Sequence, residues 1–144
     1  MRHYIQISAR HKLLVVNRAY LAQGGPADAR AEAHGACVQN AKAILQELER
    51  GQQRGEVPMQ SLWTIPYHSV AAVVVLALDM IKLGRNNVNP RLLRDRQSEI
   101  HRANLALQRL APTSRIARRG LQVRGKSLES LRRSDSPRYF PDWS

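Results

Sequence analysis

Cysteine and aromatic residues are scarce in this chain. It has a single cysteine, Cys37, among 144 residues, so it can form neither an internal disulfide nor a cysteine-based zinc cluster, and a reducing compartment is indicated. Aromatic side chains make up 5% of the residues, whereas hydrophobic residues make up 43%. The core must therefore be built from Leu, Val, Ile and Ala, which favours helices that pack through aliphatic ridges. A chain of this length suits one domain.

Long apolar segments and secretion signals are missing as well. The longest unbroken apolar run is Val70–Leu78, nine residues that end at Asp79, whereas a membrane span needs about 20 such residues. No positively charged stretch followed by an apolar one opens the chain, as it would in a secretory signal. The sequence therefore predicts a soluble, intracellular protein that does not enter a membrane.

The patterns that usually mark a catalytic or metal site do not occur. No two of the five histidines are four residues apart on one predicted helix beside a carboxylate, as a zinc site would require. Cys37 lies on an apolar stripe, where a free cysteine behaves as a small hydrophobic residue, and His34 is its only local base. Asp95 and Glu99 are surrounded by arginines, which favour ionised carboxylates on a solvated face. We therefore expect no cofactor, no metal and no enzymatic activity.

Helical periodicity recurs in five segments, and no segment alternates as a strand would. Gly24-Gly25-Pro26 ends the first segment, and Asn89-Pro90 starts the fourth with a cap followed by proline at the first helical position. The third segment is apolar on nearly all sides, which is typical of a helix at the centre of its domain. The sequence predicts an all-α, irregular bundle of about five helices around that segment. The expected helices are about Tyr4–Ala22, Asp28–Gly51, Pro66–Leu83, a fourth from Pro90 to Leu110 and a fifth that begins at Pro112.

Each amphipathic helix has an apolar stripe that predicts which side it packs. The stripe is Ile5, Ala9, Leu13, Val16 and Tyr20 in the first helix, and Ala33, Cys37, Ala41, Ile44 and Leu48 in the second. In the fourth helix it is Leu93, Ile100, Ala103, Leu107 and Leu110. The fifth contains Gly120, which costs a helix roughly 1 kcal/mol relative to alanine and so predicts the close approach of the backbone of a neighbouring helix.

Positive charge is concentrated in the second part of the chain. Residues 85–144 hold 14 Lys or Arg against 5 Asp or Glu, whereas residues 1–84 hold 9 against 6. The densest basic group consists of Arg115, Arg118, Arg119, Arg124 and Lys126. It fits a solvated face, a surface for nuclear import or an acidic partner, or a site that holds nucleic-acid phosphates without sequence preference. No aromatic residue is interleaved and no DNA-binding motif is present, so sequence-specific recognition is not expected.

Four segments, in this order, resemble the rear part of the regulatory (middle homology) domain of fungal zinc-cluster transcription factors. In VNRAYL, Arg18, Tyr20 and Leu21 match the family's Leu-His-Arg-Pro-Tyr-Leu, while Asn17 and Ala19 depart from it. The second segment is AHGAC, in which Cys37 matches the family, and the third is Leu62–Met80. In the fourth, Ile116, Ala117 and Gly120 follow Ser114 and match the family's Ile-Ala-x-x-Gly. The resemblance covers about Arg10–Leu131.

The resemblance implies a nuclear, non-enzymatic fragment of a larger helical regulatory domain, in residues 1–133, with a flexible tail at 134–144. Its partners are expected to be proteins of the transcription machinery or a second copy of the chain, because a central helix that is apolar all round needs neighbours on every side. Zinc and DNA-binding belong to a part of the family's proteins that this chain lacks. The alternative is a free-standing basic helical module that binds nucleic acid weakly and non-specifically.

Overall fold

Helices account for nearly all of the chain that the computed structural model describes, which comprises residues 2–55, 63–86 and 89–122. They are α1 (Arg2–Ala22), α2 (Ala27–Gln53), α3 (Thr64–Arg85) and α4 (Pro90–Leu110), followed by α5 in residues 115–122. No strand occurs within these ranges. The prediction of an all-α bundle of about five helices is confirmed. The expected tail at 134–144 and its boundary at residue 133 lie outside the described residues.

The ends of the helices follow from local chemistry. The Asn89 side chain accepts a hydrogen bond from the Arg91 backbone N–H at 2.9 Å, and Pro90 occupies the first helical position. Ser114 Oγ accepts from the Ala117 N–H at 3.2 Å. Helix α5 therefore begins at residue 115, and the predicted start at Pro112 is wrong by three residues. The predicted end of α2 at Gly51 is wrong by two residues. The left-handed turn is made instead by Gly55, with φ of 65°, so Gly51 remains within the helix.

The third helix packs against all the others, as its apolar sequence predicts. It contacts α1, α2 and α4 along its length. A Cβ atom placed on Gly120 of α5 would lie 2.5 Å from Cγ2 of Val70, so only glycine allows α5 to approach α3 this closely. The sequence predicted the approach of a helix backbone, and that detail is wrong, because the neighbour that comes close to Gly120 is a side chain of α3.

Two of the predicted stripes form the core. All five residues of the α2 stripe are buried, from Ala33 to Leu48. In α4, Leu93 is half-buried and the other four residues, from Ile100 to Leu110, are buried. These residues meet Ala72, Val73 and Leu76 of α3 in one continuous cluster. Burial of this apolar surface is the main source of the stability of the bundle.

The apolar stripe of α1 does not pack on the bundle. Ile5, Leu13, Val16 and Tyr20 are 59%, 49%, 66% and 40% exposed, and Ala9 is exposed too. The opposite side of the helix is buried instead, through His3, Ile7 and Leu14 and the half-buried Leu21. Periodicity predicts that α1 is amphipathic, but the position of α2 and α3 decides which side they cover.

Judged only by its length and composition, helix α3 could cross a membrane. The mean hydropathy of its most apolar 18 residues is 1.6. In this structure 44% of that window is buried inside the protein, and Asp79, which is buried, forms an ion pair with α4. The core helix of a soluble protein meets the same criterion, so this property is weak evidence of a membrane span. Three large apolar residues of α3, Tyr67, Val74 and Leu78, remain exposed, and so does Trp63, which immediately precedes the helix.

Candidate functional site

The first candidate surface is the exposed stripe of α1, named the α1 face here and consisting of Ile5, Ala9, Leu13, Val16 and Tyr20. These residues span 16 positions, whose 15 rises of 1.5 Å give a length of about 22 Å along the helix. On a helical projection Arg10 and Lys12 lie on opposite sides of the stripe, and Arg2 lies at its N-terminal end. All three are exposed, and α1 contains no Asp or Glu. The α1 face is therefore an apolar strip with a basic margin.

The second candidate surface is the basic group of α5. Arg115, Arg118 and Arg119 are exposed and lie within about one helical turn of each other, as their spacing predicts. None of them forms an ion pair with a residue in the described ranges. Arg124 and Lys126, which the sequence placed in the same group, lie outside the described residues. This part of α5 presents three accessible guanidinium groups to solvent.

A polar network joins three helices inside the bundle. Nε2 of His34 in α2 lies 2.8 Å from one carboxylate oxygen of Asp79 in α3, and Nε of Arg96 in α4 donates to the other at 2.7 Å. Burial alone would raise the pKa of Asp79, but the hydrogen bond from His34 and the charge of Arg96 outweigh it and hold that pKa below its ordinary value. Asp79 is thus ionised and held by two donors.

The network continues towards the surface through Glu99. Its carboxylate accepts a hydrogen bond from Arg96, and its other oxygen lies 3.1 Å from Nζ of Lys42. A shallow pocket of about 280 Å³ lies beside this end of the network. Within the network, Lys42 and Arg96 pair with Glu99 and Asp79, which ties α2, α3 and α4 together. The pocket is lined by Lys42, Leu92, Asp95, Arg96, Ser98, Glu99 and Arg102.

Sequence reasoning missed this network because its residues are far apart in the chain. His34 and Asp79 are separated by 45 positions, and Arg96 belongs to an α4 sequence rich in surface arginines. The only local hint is Asp79 itself, a carboxylate on an otherwise apolar helix, which needs a partner if it is buried. Helical spacing predicts several ion pairs for Glu99 but does not select the buried Arg96.

Cys37 and His34 do not form a nucleophile and base. The Cys37 thiol donates to the Leu14 carbonyl oxygen of α1 at 3.8 Å, and burial raises its pKa, so the thiol stays protonated. His34 is engaged with Asp79 on α3. The two side chains therefore serve different contacts of α2.

An aromatic cluster joins α1 to α3. The rings of His11 and His68 lie 4.0 Å apart between centroids, and Tyr67 meets His11 edge-on at 5.5 Å. Burial, with a smaller contribution from His11, lowers the pKa of His68 to about 4. Burial and the charge of Arg18 lower the pKa of His11 as well. Both rings are therefore neutral near pH 7 and pack as aromatic side chains.

Groups of three or more His, Cys, Asp or Glu side chains that could hold a metal ion do not occur in residues 2–55, 63–86 and 89–122. No protein-family model matches the chain, and neither a curated protein nor a solved structure shows significant similarity to it.

Proposed function

We propose that this chain is a helical regulatory module of a nuclear transcription factor and that it acts through protein contacts, without enzymatic activity and without recognising DNA sequence itself. The observation that carries the proposal is the α1 face. Isolated apolar residues are common on protein surfaces, but a stripe that follows one side of a helix for four turns is typical of an interaction site.

The resemblance to the fungal regulatory domain supports the nuclear and transcriptional part of the proposal. Three of the matched residues make interior contacts: Cys37 and Ala117 are buried, and Gly120 packs on α3. The matched Tyr20 belongs to the α1 face. In the family this region is part of a larger helical domain. We expect zinc-dependent DNA binding to reside in another part of such a protein.

A transcription reporter tests this proposal. The full chain, fused to an unrelated DNA-binding domain in fungal cells, is expected to change reporter expression. Replacing Leu13 and Val16 with serine should abolish that change, whereas replacing Leu92 and Leu105, two exposed leucines of α4, should not. All four side chains are exposed, so each substitution should have little effect on stability.

The localisation and expression of each fusion are measured in parallel, so that a silent reporter cannot be explained by missing protein. If the unmodified chain leaves expression at the level of the DNA-binding domain alone, the proposed function is wrong.

A second candidate function rests on the α5 basic group. The exposure of Arg115, Arg118 and Arg119 favours weak, non-specific binding of nucleic acid through phosphates. Such binding should be largely lost by about 200 mM salt, and replacing all three with alanine should weaken it equally for every sequence tested. Fluorescence anisotropy with duplexes of different sequence measures both properties. A defined sequence motif returned by a selection experiment would contradict both candidate functions.

A further inference from the structure

We propose that the α1 face binds an amphipathic helix of a partner protein, and that this helix carries Asp and Glu on both sides of its own apolar stripe. The inference deepens the proposed function by naming the chemistry of the partner. It rests on the proposal that the chain acts through protein contacts, and it needs neither the fungal resemblance nor a role in transcription.

The shape of the α1 face suits a helix. Ala9, Lys12, Leu13 and Val16 stand at positions i, i+3, i+4 and i+7, which is the arrangement of four residues that receives one side chain of a facing helix. Ala9 is the smallest of the four and leaves room in the N-terminal half of the stripe. The length of about 22 Å corresponds to about 15 residues of a partner helix.

The charges at the margin select an acidic partner. Arg2, Arg10 and Lys12 surround the stripe, and none of them forms an ion pair with a residue in the described ranges. Because α1 contains no Asp or Glu, no carboxylate of this helix offsets these three cations. Carboxylates beside the apolar contacts of a partner would meet these cations, accelerate association and exclude basic helices.

The same charges disfavour a second copy of the chain on this face. In an antiparallel pair centred on the stripe, Lys12 would lie beside Lys12 of the other copy, and in a parallel pair every cation would face its equivalent. Like charges brought together at an interface are unfavourable. A lipid surface is less suited as well, because helices that bind lipid usually insert Trp, Phe and Leu, whereas the α1 face has one leucine, no Trp or Phe, and a small alanine.

The test measures binding of the full chain to three labelled peptides of about 20 residues. The peptides share one leucine stripe and carry Glu, Gln or Lys beside it. Fluorescence anisotropy at low salt should show the Glu peptide binding at least about tenfold more tightly than the Gln peptide, and the Lys peptide most weakly. The double variant Leu13→Ser, Val16→Ser should lose binding of the Glu peptide.

A charge-reversed variant, R10E with K12E, should lose the preference for the Glu peptide and gain binding of the Lys peptide. The matched control is R91E with R94E, which changes the net charge equally on the exposed side of α4 and should behave as the original chain. Circular dichroism verifies that every variant remains helical.

Several outcomes would overturn the inference. One is equal binding of the three peptides, and another is an equal loss in the α4 control, which would show that only net charge matters. A dimer that the serine substitutions dissociate would assign the face to a second copy. Tighter binding to phosphatidylserine vesicles than to the Glu peptide, lost in the same serine variant, would assign it to lipid. The peptide result is independent of the reporter, so a chain that binds the Glu peptide but leaves the reporter unchanged refutes only the role in transcription.

Discussion

Replacing Asp79 with asparagine should destabilise the bundle strongly. Asp79 and Arg96 are only 6% and 5% exposed, and the substitution leaves the guanidinium group of Arg96 buried without its principal counter-charge. Removing one partner of a buried ion pair costs about 3–5 kcal/mol. Because Glu99 still accepts a hydrogen bond from Arg96, we expect the lower end, about 3 kcal/mol. For a chain of this size that corresponds to a fall of roughly 10 °C in Tm.

Urea unfolding followed by circular dichroism at 222 nm measures this cost. The midpoint should fall while the slope m stays unchanged, since the surface exposed on unfolding is the same. The control is Asp95→Asn, an exposed carboxylate of α4, which should change the free energy of unfolding by less than about 0.5 kcal/mol. Replacing Asp79 and Arg96 together with leucine and methionine should restore most of the stability, because no buried charge is then left unpaired. If the Asp79 and Asp95 variants unfold at the same urea concentration, the network is not a source of stability.

The same residue predicts part of the pH dependence. The pKa of Asp79 is lowered in the folded chain, so its ionised form stabilises the fold at pH values above its unfolded pKa. That contribution should be lost as the pH falls through the lower, folded pKa. The Asp79→Asn variant should lack this acid-dependent loss, which urea titrations at a series of pH values would detect.

Three further predictions concern other parts of the bundle. Gly120→Ala should lower the free energy of unfolding by about 1–3 kcal/mol, because the added methyl group overpacks against α3. The control, Gly35→Ala, lies in open space on α2 and should raise the free energy of unfolding by up to about 1 kcal/mol. Equal melting temperatures of the two variants would contradict the close approach of α5. His68 should remain neutral in NMR titrations until the pH approaches 4. The stability of the fold should therefore fall as the pH is lowered from 6.5, the ordinary pKa of histidine, to about 4, because over this range the unfolded chain binds the proton and the folded chain does not. Titration of His68 near pH 6.5 in the folded chain would refute this. The chain alone should self-associate at micromolar concentration through Trp63 and the exposed residues of α3. Trp63→Ser should reduce the association measured by light scattering, while Leu13→Ser should not.

Local chemistry in the sequence determined where most of the helices lie. Asn89-Pro90 begins α4 and Ser114 begins α5 because a side-chain cap and a proline act on the adjacent backbone and need no distant contact. The periodicity of α2 also predicted its buried side, since a helix with neighbours on several sides buries whatever apolar stripe it has. Gly120 predicted a close contact between helices, because the cost of a glycine within a helix must be offset by packing.

Only the tertiary structure decided which side of α1 is covered and which polar groups meet. The stripe from Ile5 to Tyr20 and the opposite side with Ile7 and Leu14 are both apolar enough to pack, so periodicity alone cannot choose between them. The His34–Asp79–Arg96 network joins three helices through contacts that depend on their relative rotation. Sequence spacing describes one helix at a time, whereas burial and pairing depend on the neighbours that the fold brings to it.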